Sequence, residues 1–183
     1  VTQHGIDDAS VPKAFRLLDR SMDEERCDHY GRGYDGEERR WSEAATPEQL
    51  RVKDEAGMLA DDAPPTARAP RTLARAEEAL AVFRRFARDA RHNALDARFW
   101  ELAARERIFR VQLFDVMRRL YLARKGDGQD RSELDVPVRK ALKDGDALYG
   151  RARELWRKIL SPRTLDEELL TRWGEPRAYL SGE

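Results

Sequence analysis

The stretch that decides the fold is residues 71–125, RTLARAEEALAVFRRFARDARHNALDARFWELAARERIFRVQLFDVMRRLYLARK. It contains no proline and no glycine, and its apolar residues recur at steps of three and four. Such spacing puts apolar side chains on one face of an α-helix, which then buries that face. We therefore predict that this stretch forms the core of the protein, as helices over about 72–91, 95–104 and 108–125.

Two places interrupt the periodicity within this stretch. His92 and Asn93 predict a break between the first two helices. Residues 105–107 are compatible with either a tight turn or a continuous helix, and the sequence leaves both open. No run of Val, Ile and Thr alternates with polar residues anywhere in the chain, so no β-strand is predicted. The expected fold class is all-α.

The C-terminal part predicts shorter helices. We expect one helix over 137–143, a break at Asp144-Gly145, and a second helix over 147–160. Ser161-Pro162 stops that helix, since proline cannot continue it.

A further helix is expected from Thr164 to Trp173. Thr164 and Glu167 form a capping box at its start. Gly174 is expected to end it, because glycine is the common residue after a helix C-terminus. The remaining residues are expected to form a tail.

The N-terminal part is polar and is predicted to be an extended arm with one short helix, over 11–20, capped by Ser10. Residues 30–41, YGRGYDGEERRW, combine three glycines with Tyr30, Tyr34 and Trp41. Glycines make the segment irregular, and aromatic side chains are typical anchors at interfaces. We expect these three aromatics to pin the arm onto the core of this chain or onto a partner.

A helix and a linker join the arm to the core. Thr46, Pro47 and Gln49 form a helix start, with a capping residue, a first-turn proline and the glutamine of a capping box. This helix is expected to extend to about residue 60 and to pack only lightly. Residues 61–70, DDAPPTARAP, contain three prolines and are predicted to be an extended linker.

Composition restricts the class of protein. The 183 residues include 35 basic and 35 acidic side chains, so the formal net charge is zero. A free nucleic-acid binder usually has a basic excess, whereas dense balanced charge suits a protein that meets large charged neighbours. The single cysteine, Cys27, excludes an internal disulfide and fits a reducing compartment. No membrane span is expected, and Val1 is interpreted as a processed N-terminus or a trimmed one.

Three helices share one pattern. EEALAVFRRF (77–86), IFRVQLFDVM (108–117) and RARELWRKIL (151–160) align so that Phe83, Phe114 and Trp156 are equivalent. This pattern resembles the second helix of pentatricopeptide (PPR) repeats and of the related TPR repeats. The resemblance implies an irregular helical-hairpin solenoid with an extended N-terminal arm. The alternative is an irregular helical bundle.

With this resemblance the chain divides into four parts. They are the arm with a short helix (1–45), the helix and proline-rich linker (46–70), a helical-repeat domain (71–173) and the tail (174–183).

The resemblance also implies a function and a location. PPR-like chains occur as structural subunits of organellar complexes, and one such extra subunit lies on the F1 head of euglenozoan-type mitochondrial ATP synthase. We therefore expect a non-catalytic accessory subunit on the mitochondrial matrix side, bound to other protein subunits. Two alternatives are a matrix-side accessory subunit of a respiratory complex such as cytochrome c oxidase, and a small RNA-binding or mitoribosomal PPR protein.

No group of residues indicates catalysis, and neither an enzymatic activity, a cofactor, a metal nor a small-molecule substrate is predicted. Cys27-Asp28-His29 is interpreted as an inert segment, because a metal site needs more ligands than it offers. Arg84-Arg85 and Arg118-Arg119 occupy equivalent places in two helices and could form a basic ridge. The predicted partner-binding residues are thus Tyr30, Tyr34, Trp41, Arg84, Arg85, Arg118 and Arg119.

Overall fold

A computed structural model describes residues 10–27, 48, 50, 51, 54, 64–126 and 131–182. Throughout these residues the chain is helical with short turns and contains no strand, so the all-α prediction is confirmed there. The helices are α1 (Ser10–Cys27), α2 (Pro64–Asp89), α3 (Ala94–Lys125), α4 (Asp135–Trp156), α5 (Pro162–Leu169) and α6 (Glu175–Ser181). A 3₁₀ turn (Arg131–Leu134) precedes α4, and a π-helical turn (Leu170–Gly174) joins α5 to α6.

The chain forms two compact units. The first contains residues 1–41 and 68–108, and the second contains residues 42–67 and 109–183. Helix α3 contributes its N-terminal half to the first unit and its C-terminal half to the second.

The first unit is built on α1, α2 and the beginning of α3. Ala14 and Leu18 lie four residues apart on α1, on the side that packs into the core. Phe83 is fully buried, and the Phe15 ring meets it edge-on with 5.0 Å between centroids. The buried core residues of this unit are Ala14, Leu18, Ala79, Leu80, Phe83, Phe86, Ala97 and Ala104.

Helix α1 differs from the predicted short helix of an extended arm. It is 18 residues long and ends at Cys27 rather than at residue 20. Ser10 is its first residue rather than a cap, and its hydroxyl accepts a hydrogen bond from Arg85 Nη2 at 2.6 Å. Ala14 and Leu18 of α1 therefore belong to the core of the first unit, where they cover an apolar face of α2.

The break at residues 92–93 is confirmed. Asn93 adopts φ = 49°, in the left-handed region that asparagine tolerates better than most residues. Its carbonyl accepts hydrogen bonds from the N–H groups of Asp96 and Ala97, at 3.0 and 3.4 Å, in the first turn of α3.

Helix α3 is continuous through residues 105–107. Of the two interpretations that the sequence left open, a tight turn and a continuous helix, the continuous helix is correct. Arg105 pairs with Glu101 one turn earlier, with 2.6 Å between Nη2 and Oε1, and Arg107 is buried. A single helix of 32 residues replaces the two helices of a predicted hairpin. Phe83 and Phe114 are both buried, as predicted, yet the helices give no evidence for PPR or TPR repeats.

The predicted break at Asp144-Gly145 is wrong. Helix α4 passes through both residues, and Gly145 is buried there because the six-membered ring of Trp173 lies against its Cα. A Cβ at this position would overlap ring atoms Cη2, Cζ2 and Cζ3 of Trp173. This glycine reflects a close packing contact rather than a helix end.

The C-terminal residues 175–181 form a helix rather than the predicted tail. Gly174 does not end a helix, since the chain passes through the π-helical turn into α6, which buries Pro176 and Leu180. Gly182, with φ = 81°, is the residue that ends it. The cap of α5 also lies earlier than predicted, because Ser161 Oγ accepts from the Thr164 N–H at 3.2 Å.

Proline placement explains a further difference. Residues 64–70 were assigned to an extended linker, but they form the first turns of α2. Pro64 and Pro65 stand at the helix start, where the N–H that proline lacks has no intrahelical partner in any case. Pro70 lies inside the helix and leaves one hydrogen bond unmade.

No helix within the described ranges is long and apolar enough to cross a membrane.

Candidate interaction surface

Trp100 is an exposed aromatic residue in the first unit. Its side chain is 40% exposed, on α3, although the core begins directly beneath it. The Phe15 ring meets the indole edge-on at 4.6 Å, and the Phe83 ring stacks with it at 6.4 Å between centroids. The indole is therefore held in place from below while part of its face remains in solvent. A fixed, half-exposed tryptophan is the most typical anchor of a protein interface.

Charged side chains flank the indole on one side. Arg84 on α2 is half-exposed, and its Nε lies 3.9 Å from Oε1 of Glu101, the residue after Trp100. Glu101 also accepts from Arg105 at 2.6 Å. An aromatic centre beside a polar, paired rim is the usual anatomy of a docking patch. We name this patch, formed by Phe15, Arg84, Trp100 and Glu101, the Trp100 patch.

The predicted arginine pairs lie in different surroundings. Arg84 and Arg85 are exposed in the first unit, where Arg85 binds the Ser10 hydroxyl across to α1. Arg118 and Arg119 belong to the second unit and are half-buried, with contacts of their own. The equivalence that the repeat pattern suggested is thus limited to sequence position.

Tyr30, Tyr34 and Trp41 lie outside the described residues, so their predicted role as anchors stays a prediction. Trp100 was not among the predicted partner-binding residues. One signal for its exposure is present in the sequence. At 3.6 residues per turn, Trp100 lies away from the helix face that Phe99 and Leu102 share.

The other two tryptophans among the described residues belong to the second unit. Trp173 is buried, stacks with Tyr149 at 5.8 Å and meets Phe109 edge-on at 5.5 Å. Its Nε1 donates to Asp146 Oδ1 at 2.9 Å, so the indole N–H is satisfied inside the fold. Trp156 is half-buried and lies under the guanidinium of Arg172, 5.4 Å from the ring centroid. These two rings have a structural role.

Asp54 links its own segment to the end of α3. Its Oδ2 accepts from the Tyr121 hydroxyl at 2.9 Å and from Lys125 Nζ at 2.5 Å. The hydrogen bond from Lys125, followed by that from Tyr121, holds the pKa of Asp54 below its ordinary value. Leu50, one turn earlier, is fully buried.

The contact of Asp54 with Tyr121 and Lys125 is expected to weaken in acid. Because the pKa of Asp54 is lower in the folded than in the unfolded chain, its stabilising effect is complete above about pH 4 and is lost as the pH falls through the folded value. A carbon-detected NMR titration should give a pKa for Asp54 below that of aspartate in an unfolded peptide. Tyr121→Phe should move it part of the way back. An unperturbed pKa in the native protein contradicts the contact.

Three further carboxylates have ion-pair partners. Glu78 pairs with Lys13 at 2.5 Å, while Glu167 and Glu168 pair with arginines one turn away on the C-terminal helices. Within the described ranges, no three His, Cys, Asp or Glu side chains are grouped as a metal site would require. Asp28 and His29 lie outside those ranges.

Comparison with known proteins gives no assignment: no protein-family model, no curated protein and no solved structure matches this chain significantly.

Proposed function

We propose that this chain is a non-catalytic accessory subunit that docks on a large mitochondrial energy-transducing complex, with the F1 head of ATP synthase as the first candidate. The observation that carries the proposal is the Trp100 patch. A tryptophan that is held by Phe15 and Phe83 and still 40% exposed is costly to leave in water, and a partner surface relieves that cost. The matrix-side location rests on the resemblance to helical organellar subunits.

The pairing of surface charges supports a protein partner. Around the patch, Arg84 and Arg105 both approach Glu101, and Lys13 pairs with Glu78. Cations that are paired in this way attract phosphate backbones only weakly. A rim of mixed charge suits a protein interface, where it sets orientation and specificity.

Native electrophoresis of gently lysed mitochondria tests the proposal. The chain should migrate with the ATP synthase, and with free F1 after the complex is dissociated. Migration with a different respiratory complex, such as cytochrome c oxidase, supports an accessory role but replaces the first candidate. Migration as a lone monomer contradicts the proposal.

Loss of the exposed indole should weaken the association. Trp100→Ala is expected to reduce the affinity for the partner at least about thirtyfold, the effect typical of an interface hot spot of about 2 kcal/mol. Ile159→Ala removes an exposed apolar side chain from the second unit, 61% exposed against 40% for Trp100, and is the matched control. Titration of each variant against the isolated complex measures the difference. Equal affinities for the two variants exclude the Trp100 patch as the docking site.

An RNA-binding function is the second candidate. An exposed arginine beside a half-exposed tryptophan is also an arrangement on which a base can stack. Filter binding over a range of salt concentrations distinguishes the two. An RNA-binding protein gives a steep linear decrease of log K with log salt concentration, whereas a protein-docking subunit gives no saturable RNA binding.

A further inference from the structure

The outward face of helix α4 carries positive charge that no described residue of the second unit neutralises. Arg139, Lys143 and Arg151 are exposed on this face, and none of their side chains has an ion-pair or hydrogen-bond partner among the described residues. Exposed cations on helices are usually solvated, so the number of cations alone does not indicate a binding surface. Their placement relative to the acids of the same helix is more informative.

Most acids of α4 are already neutralised. Asp144 pairs with Lys140 at 2.5 Å, and Asp146 accepts from Arg177 on α6 at 3.1 Å. Glu154 pairs with Arg157, just beyond the helix, at 2.6 Å. Asp135 is exposed in the first turn, where a carboxylate complements the helix dipole. The uncompensated charge beyond the first turn of α4 is therefore positive.

These cations share a face with small residues. Residues 139, 143, 147, 150, 151 and 154 fall within one side of the helix at its period of 3.6 residues. The opposite side is the buried one and consists of Ala141, Gly145, Leu148, Tyr149 and Ala152. On the outward side Ala147 is exposed, and the space in front of Gly150 is empty. Val136, 67% exposed, adds an apolar residue at the beginning of the same face.

A second helix is the occupant that this face fits best. The 22 residues of α4 make a rod of about 33 Å at about 1.5 Å per residue. Where the side chains at the contact are as small as Ala147 and Gly150, two helices can approach to about 8 Å between axes. Arg139 and Lys143 are four residues apart, which matches carboxylates spaced by one turn on a partner helix. Nucleic acid, the other polyanionic occupant, is an outcome of the test below.

We infer that the outward face of α4 (Val136, Arg139, Lys143, Ala147, Gly150 and Arg151) binds an acidic helix of a protein partner. The face belongs wholly to the second unit, whereas the Trp100 patch belongs to the first. The inference goes beyond the proposed function, because it holds or fails independently of which complex the chain joins. It assigns a second contact with a defined chemistry.

Fluorescence anisotropy with a designed peptide tests the inference. The probe is a labelled helical peptide of roughly 20 residues, similar in length to α4, with glutamates along one face and alanine and leucine elsewhere. The full chain should bind it saturably at low salt, and a version with lysines in place of the glutamates should not bind. Arg139→Glu with Lys143→Glu should lower the affinity about tenfold or more, because two attractive contacts become repulsive.

The control makes the same change of net charge elsewhere. Arg16→Glu with Arg91→Glu alters two exposed arginines of the first unit that have no ion-pair partner among the described residues. It should change the affinity less than about twofold at physiological salt. Circular dichroism must show both double variants folded.

Absence of saturable binding, or an equal loss in both double variants, overturns the inference. Tighter binding of a single-stranded oligouridylate that the α4 variant abolishes also overturns it and assigns the face to nucleic acid. Trp100→Ala should leave peptide binding unchanged, which separates this result from the proposed function.

Discussion

Gly145→Ala should destabilise the protein by about 2 kcal/mol or more, although the same replacement within an exposed helix usually stabilises it. The added methyl group would occupy space that the Trp173 ring already fills. Trp173 cannot move away cheaply, since it stacks on Tyr149 and its indole N–H donates to Asp146. Either the ring leaves the core or α4 shifts, and both weaken the second unit. Urea denaturation followed by circular dichroism measures the loss.

Gly150→Ala is the matched control, five residues later on the same helix. No atom lies within 4 Å of the position that its Cβ would take. It should therefore show the ordinary helix effect, a gain of about 0.5–1 kcal/mol. A double-mutant cycle with Trp173→Phe identifies the cause, because the smaller ring should reduce the cost of Gly145→Ala. If Gly145→Ala is as stable as Gly150→Ala, the described packing of Trp173 is wrong.

Phe83→Ala should cost about 3–5 kcal/mol, the range found for large aromatic residues in cores. Phe83 is fully buried in α2 and meets both Phe15 and Trp100. Its loss leaves a cavity between three helices that rigid neighbours fill only partly. The change in the free energy of unfolding, from denaturant titration with an unchanged m-value, measures the cost.

Trp100→Ala provides the contrast within the same aromatic group. Because Trp100 is partly exposed, its removal should cost only about 0.5–1.5 kcal/mol, mostly through the lost ring contact with Phe15. The two variants thus separate stability from binding. Phe83→Ala should unfold easily, whereas Trp100→Ala should fold and fail to dock. A cost for Trp100→Ala equal to that for Phe83→Ala would place the indole in the core and remove the basis of the proposed site.

The sequence predicted those features that depend on local patterns. The three- and four-residue spacing of apolar side chains predicted an all-α fold and the burial of Phe83 and Phe114. The break at residues 92–93 was also predicted, because Asn93 can adopt the left-handed conformation that a sharp turn needs. In each case the feature is determined by residues that are close together in the sequence.

The features that were missed depend on contacts distant in sequence. Gly145 resembles a helix break, and only the position of Trp173 explains why glycine is needed there. Gly174 resembles a helix end, but the burial of Pro176 and Leu180 makes a further helix favourable. No local pattern determines which side of Trp100 faces solvent, since that depends on where Phe15 of α1 packs.

Site-specific photo-crosslinking in the native assembly tests whether Trp100 contacts a partner protein. A photoreactive phenylalanine analogue is placed at Trp100, and in a control chain at Ile159, which is exposed in the second unit. Covalent products are expected between position 100 and protein subunits of the mitochondrial complex, with F1 subunits first among them, and few products are expected from position 159. No protein product from position 100, or products with RNA alone, would contradict docking through Trp100.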